Sequence, residues 1–308
     1  MKTTDEAFER SKGLFNICVT PFTADGALNK EALATNMERV IGMGFDGVLI
    51  GGTYGEFPAM TTEERADLFR TAVDIAGDRV PLLLCSAASD PRVCRDLTTL
   101  ASDLGGLPMV TAPYVSEVTE GHIQAYFKQM ATHSKIGIMI YNAPGIGITL
   151  SPSLIEALSD IPGVVALKQG DLNPTTVDRI VGRVGGKIRV LAASDLAMLG
   201  PIATGFDGFS STNSCALPEI IQGTYKALVS GQFDTARSLN QVWFPLRELC
   251  RAFGQPQTTK AMMDLRGWVG GPVRAPLLPL TETERATLTK TMATVAETAG
   301  PRALSLAA

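Results

Sequence analysis

Short apolar runs alternate with helix-compatible stretches through most of this chain, and that alternation limits the fold more than any other feature. Leu14–Phe22 reads as a strand stopped by Pro21 and followed by the turn Asp25-Gly26. Leu28 to Gly42 has helical spacing, with Leu33, Met37, Val40 and Ile41 on one side. Val48–Ile50 is a second strand ending at Gly51-Gly52, and Thr61 with Glu64 three residues on forms a capping box that opens the next helix. Further strands are expected near Val80–Cys85, Met109–Ala112, Ile136–Tyr141, Val164–Lys168, Ile188–Ala192 and Phe206–Ser210. These strands are apolar throughout instead of alternating, the mark of a parallel sheet covered by helices on both faces. About eight such units predict an α/β fold, a (β/α)8 TIM barrel. An open doubly wound sheet is the alternative, but no Gly-x-Gly-x-x-Gly follows the first strand. Beyond Gly231 the strand signals stop and helical stretches follow at roughly 232–252, 256–268 and 281–299. Residues 1–230 are therefore expected to form the barrel and residues 231–308 a C-terminal helical extension.

Composition narrows the function. Hydrophobic residues make up 45% of the chain and charged residues 19%, ordinary for a globular enzyme. A net charge of −4 and the lack of any basic run argue against nucleic acid or a membrane surface as partner. The five cysteines, Cys18, Cys85, Cys94, Cys215 and Cys250, show no paired spacing and read as reduced thiols. His122 and His133, expected on one polar helix, do not have zinc-ligand spacing. The charged start Met1–Glu6 lacks the apolar core of a signal peptide, and no run of eighteen apolar residues occurs, so a cytoplasmic protein is expected.

In a barrel, the C-terminal ends of the strands meet at one mouth. The sixth strand would deliver Lys168 there, with no carboxylate beside it in sequence. Burial would lower its pKa and make it an amine nucleophile able to form an imine with a 2-oxo acid; the plainer outcome is a lysine that extends to solvent. The second strand delivers Gly51-Gly52-Thr53-Tyr54-Gly55-Glu56, a turn whose backbone N–H groups can face a carboxylate. The fifth delivers Tyr141-Asn142-Ala143-Pro144-Gly145, with a phenol able to move protons. Taken singly, the two stretches read equally well as an ordinary loop and a β-turn.

Together, in this order, the three stretches resemble the dihydrodipicolinate synthase and N-acetylneuraminate lyase family of Schiff-base-forming aldolases. Val19-Thr20-Pro21-Phe22, Pro113-Tyr114 and Val273-Arg274-Ala275-Pro276-Leu277 look like further landmarks of that family, so the resemblance spans nearly the whole chain. It implies a class I lyase, an aldolase or a dehydratase or hydratase-aldolase, acting on pyruvate or a longer 2-oxo acid. Lys168 would form the imine, Tyr141 and Thr53 would relay protons, and Gly52, Tyr54, Gly55, Ser210, Val115 and Ile146 would contact substrate. No metal or organic cofactor is implied, since the iminium is the electron sink. The partners implied are a 2-oxo acid, an aldehyde as second substrate, and further copies of the chain in a dimer or tetramer.

Three departures bear on the substrate. Tyr54 stands where the family has a second threonine, Val115 where the synthases place a relay tyrosine lent by a neighbouring subunit, and Ile146 where they carry an arginine for the semialdehyde carboxylate. Loss of an arginine clamp is not neutral. The pattern points to a second substrate less charged than aspartate semialdehyde, with 4-hydroxy-tetrahydrodipicolinate synthase proper as the alternative. A barrel that binds 2-oxo acids or sugar acids without turning them over is a reading from another class, opposed by the joint presence of Lys168, Tyr141 and Thr53. A phosphate-binding barrel enzyme is opposed by Phe209-Ser210-Ser211-Thr212-Asn213, which lacks a glycine-rich turn and a basic partner.

Overall fold

Eight parallel strands, β1 (Gly13–Ile17), β2 (Gly47–Ile50), β3 (Leu82–Cys85), β4 (Leu107–Thr111), β5 (Ile138–Asn142), β6 (Val164–Gln169), β7 (Arg189–Ala192) and β8 (Gly208–Ser211), pair in sequence order in the computed structural model, which describes residues 1–300 and 304–306. β8 pairs back with β1 and closes the sheet into a barrel, so the open-sheet alternative falls. The seam is tight: a Cβ at Gly208 would lie 2.0 Å from the Gly13 carbonyl oxygen, which only glycine avoids.

Both faces of the strands are buried, as their apolar runs require. Phe15, Ile17, Leu49, Leu83, Cys85, Leu107, Met109, Met139, Tyr141, Ala166 and Leu191 fill the barrel interior. Their neighbours on the same strands, such as Val48, Ile50, Leu84, Val110, Ile140, Leu167 and Phe209, pack outward against the helices. The helices Lys30–Gly42, Thr62–Ala76, Pro91–Asp103, Glu120–Ala131, Pro152–Ser159 and Pro174–Val184 follow β1 to β6, and Leu199–Thr204 and Pro218–Val229 follow β7 and β8. The capping box forms as read, with Thr61 accepting from Glu64 N and Glu64 from Thr61 N, a contribution of about 1 kcal/mol.

The structure departs from the sequence reading in several places. The polar lead contains a helix, Thr4–Arg10, capped by the Thr3 side chain. Ala7 of that helix belongs to the interior cluster and the helix packs on β6, closing the N-terminal end of the barrel. Strand β1 stops at Ile17, four residues before the proline; beyond it only Cys18 N continues the ladder, to Leu49 O. The stretch expected at 232–252 is two helices, Phe233–Val242 and Phe244–Phe253, broken at Trp243. Pro245 explains the break, because its ring lacks an N–H and collides with the preceding turn. His122 opens the helix Glu120–Ala131, where its Nδ1 accepts from Thr119 N, whereas His133 lies beyond that helix's end.

Helices Gln255–Leu265 and Glu282–Ala299 complete the extension, of which residues 301–303 and 307–308 lie outside the described residues. Both tryptophans belong to it. Trp243 is fully buried, and Trp268 lies between the guanidinium groups of Arg39 and Arg266, each 3.9 Å from its ring centroid. Arg266 fastens the extension to the barrel by donating to Ala216 O at 2.7 Å and to both Glu219 carboxylate oxygens at 2.8 Å. All five cysteines are buried and unpaired. No helix among the described residues is long and apolar enough to cross a membrane.

Candidate active site

Alternation along β6 decides where Lys168 points. Ala166 faces the interior and Leu167 the helices, so Lys168 faces inward at the C-terminal end of its strand. It is 3% exposed and makes no ion pair among the described residues, and burial pushes its pKa down to about 7. Its Nζ lies 4.1 Å from the centroid of the Tyr141 ring. Tyr141 is its register partner on β5, and the Tyr141 phenol is 2.9 Å from Thr53 Oγ1. Burial raises the phenol's pKa, and the Thr53 bond offsets only part of that rise.

The next residue on each of these strands explains why the pair stays in place. Asn142 and Gln169 are fully buried, and Asn142 Nδ2 donates to Gln169 Oε1 at 3.0 Å. Asn142 also accepts from Leu150 N at 2.9 Å and donates to Leu150 O at 3.2 Å, which holds the loop after Tyr141. That loop supplies Ala143, Pro144, Gly145 and Ile146 to a cleft of about 200 Å³. Thr53, Tyr54, Tyr141, Gly170, Ala193 and Ser194 complete its lining, and none of these side chains is charged.

The turn after β2 is compact. Gly51 has φ +62°, which suits glycine alone at no cost, and Gly55 N donates to Gly52 O at 2.9 Å. Thr53 N and Tyr54 N donate to no group of the described chain, so two backbone donors remain free beside the cleft. Burial raises the Tyr54 pKa and keeps its phenol protonated.

Thr53, Tyr54, Tyr141 and Ile146 thus line one cleft, and Lys168 stands against the Tyr141 ring without itself lining it, as is also true of Gly52 and Gly55 in the turn after β2. Two expected residues stand apart. Ser210 faces inward on β8 but is fully buried, with its hydroxyl donating to Ala192 O at 3.2 Å, and it does not line the cleft. Val115 is 62% exposed on the loop after β4, away from the cleft lining of its own chain.

Sequence reasoning passed over three features. Ala193 and Ser194 line the cleft at the end of β7, a position that marks them in any barrel. Asp195, fully buried, accepts from Asn213 N and Asn213 Nδ2, each at 3.0 Å, and from the Ser211 hydroxyl, tying the loops after β7 and β8 together. Burial raises its pKa against those bonds. Thr111 is the register partner of Tyr141 on β4, and its hydroxyl is buried with no partner among the described residues. Among the described residues, no group of three or more His, Cys, Asp or Glu side chains is placed to hold a metal ion.

Residues 10–295 match the model of the dihydrodipicolinate synthetase family. The 4-hydroxy-tetrahydrodipicolinate synthase 1 of Streptomyces coelicolor is 32% identical over 282 residues, 90% of this chain and 91% of that protein. The enzyme of the same name from Halalkalibacterium halodurans is 30% identical over 273 residues, 88% and 92% of the two chains. Among solved structures, a dihydrodipicolinate synthase from Bacillus anthracis superposes with a TM-score of 0.86 at 28% identity, covering 92% of this chain and 97% of that one. YagE, a prophage protein of the dihydrodipicolinic acid synthase family from E. coli K12 solved with pyruvate, gives 0.87 at 27% identity, covering 92% and 98%. The chain belongs to the dihydrodipicolinate synthetase family and is an enzyme of its class I aldolase type, a carbon–carbon or carbon–oxygen lyase.

Proposed function

We propose that this enzyme forms an imine between Lys168 and the ketone carbon of pyruvate or a longer 2-oxo acid. The observation that carries the reading is the buried Lys168 amine, pushed down to about 7 and set against the Tyr141–Thr53 pair. The neutral amine adds to the ketone to give a carbinolamine. Tyr141, protonated and bonded to Thr53, gives its proton to the developing alkoxide and takes one from the nitrogen, and a second transfer from the phenol to the carbinolamine hydroxyl lets it leave as water. The free N–H groups of Thr53 and Tyr54 bind the substrate carboxylate. The resulting iminium withdraws electrons as a C–C bond breaks or forms, or as water is lost, so this chemistry calls for no metal or organic cofactor.

The second substrate, an aldehyde, or the distal part of a longer 2-oxo acid, is neutral or aromatic. An uncharged cleft lined by Ile146, Pro144 and Tyr54 supports this. Neither arginine that could replace the missing clamp is free: Arg92 pairs with Asp90, and Arg274 with Glu64. A homo-oligomer, dimer or tetramer, in the cytoplasm completes the reading. The exposed Val115 and the five unpaired thiols support those two points respectively.

Trapping with borohydride tests it. Pyruvate or a longer 2-oxo acid should leave a reduced adduct on Lys168, and Lys168→Ala should abolish turnover with the fold intact. An adduct on another lysine, or none with any 2-oxo acid, would overturn the proposal.

A further inference from the structure

Among the described residues, Glu56 is the one residue other than glycine with a positive φ, at 60°. It follows Thr53, Tyr54 and Gly55, so it ends the turn that flanks the cleft. A left-handed glutamate is strained and persists only where its surroundings fix it. Here the surroundings come from the far end of the chain. The carboxylate, 1% exposed, accepts from Lys260 Nζ at 2.6 Å and from Arg274 N at 2.8 Å. Lys260, 2% exposed, rises from helix Gln255–Leu265 and also donates to Pro272 O at 2.8 Å. Its ammonium lies 4.8 Å from the Phe22 ring centroid, so the pair is enclosed by apolar surface as well.

Burying an ion pair gives little net stability, because desolvation offsets the attraction. What such a pair does well is fix geometry, since either charge left alone in that site is strongly disfavoured. The geometry fixed is that of the turn whose Thr53 and Tyr54 N–H groups are free. We infer that Glu56 and Lys260 are positioning residues for recognition of the substrate carboxylate, through which the C-terminal extension takes part in the active site. This rests on the proposed imine chemistry at Lys168 and on the carboxylate binding those two N–H groups.

The test compares two carbonyl compounds on the full chain, pyruvate and acetaldehyde, which lacks the carboxylate. Borohydride trapping at Lys168 is measured for the wild type, Lys260→Met, and the double variant Glu56→Gln/Lys260→Met, which leaves no lone buried charge and so guards against simple unfolding. In both variants the pyruvate concentration for half-maximal trapping should rise about 10- to 100-fold, the scale of hydrogen bonds to a charged group. Trapping of acetaldehyde should not change. Equal losses for the two compounds in the folded double variant, or no loss for pyruvate, would overturn the inference. A wild type trapped by neither compound overturns the imine reading itself, and the inference with it.

Discussion

Lys168 is buried with no carboxylate beside it, and its proton affinity sets how the enzyme responds to pH. Between about 7 and the ordinary lysine value of 10.5, the unfolded chain holds a proton on this residue that the folded chain lacks. Stability from this group therefore rises with pH across that window, by up to about 1.4 kcal/mol per unit. Below about 7 the folded protein carries a buried charge at full cost. Lys168→Met should thus be more stable than wild type at pH 6 to 7, with the advantage shrinking toward pH 10. Denaturant titrations at several pH values check this, and imine trapping in the wild type should rise through pH 7 as the amine is freed. Tyr141→Phe keeps the ring against the lysine and removes the proton. It should lower kcat by about 10²- to 10⁴-fold with substrate still bound; equal activity would show that protons move by another route. Lys168, Tyr141 and Thr53 were legible in the sequence because each lies at the end of a recognisable strand or in the turn just after one. Glu56 was visible but mute, since its partner Lys260 lies 204 residues away.

At the scale of elements, the strands were readable because burial on both faces leaves unbroken apolar runs. The helix Thr4–Arg10 was not, because it buries little more than Ala7 and carries no apolar stripe. Loops at the strand ends line the cleft, and here the sequence reading divides. Ile146 does line the cleft, while Val115 stays outside it in its own chain. An aspartate semialdehyde carboxylate entering this cleft meets no charged side chain among the lining residues. Losing about 3 kcal/mol of transition-state binding lowers kcat/KM by roughly two orders of magnitude. Condensation of pyruvate with aspartate semialdehyde should therefore be poorer, by about that factor, than reaction with a neutral or aromatic aldehyde, and Ile146→Arg should narrow the gap. Efficient use of aspartate semialdehyde by the wild type would show that the missing charge comes from elsewhere.

Across the whole molecule, the chain order of barrel first and helices last hides how the two are joined. Glu56–Lys260, Arg266–Glu219 and Arg274–Glu64 each join a residue before position 230 to one after it. The last pair alone reaches from the helix after β2 to the strap that follows helix Gln255–Leu265, across 210 residues. We propose that barrel and extension unfold together despite the change of architecture near residue 230. The placement of Trp243 and Trp268 makes this measurable. Since both indoles lie in the extension, intrinsic fluorescence excited at the tryptophan band reports on that part and its contact with helix Lys30–Gly42, while far-ultraviolet circular dichroism averages over the barrel's helices and strands as well. Coincident midpoints by the two probes are expected, and an earlier fluorescence transition would show the extension leaving first. The cation stacked on each face of Trp268 adds a local signal, for an emission change there at low denaturant would record the parting of helix Lys30–Gly42 from the extension before either has melted.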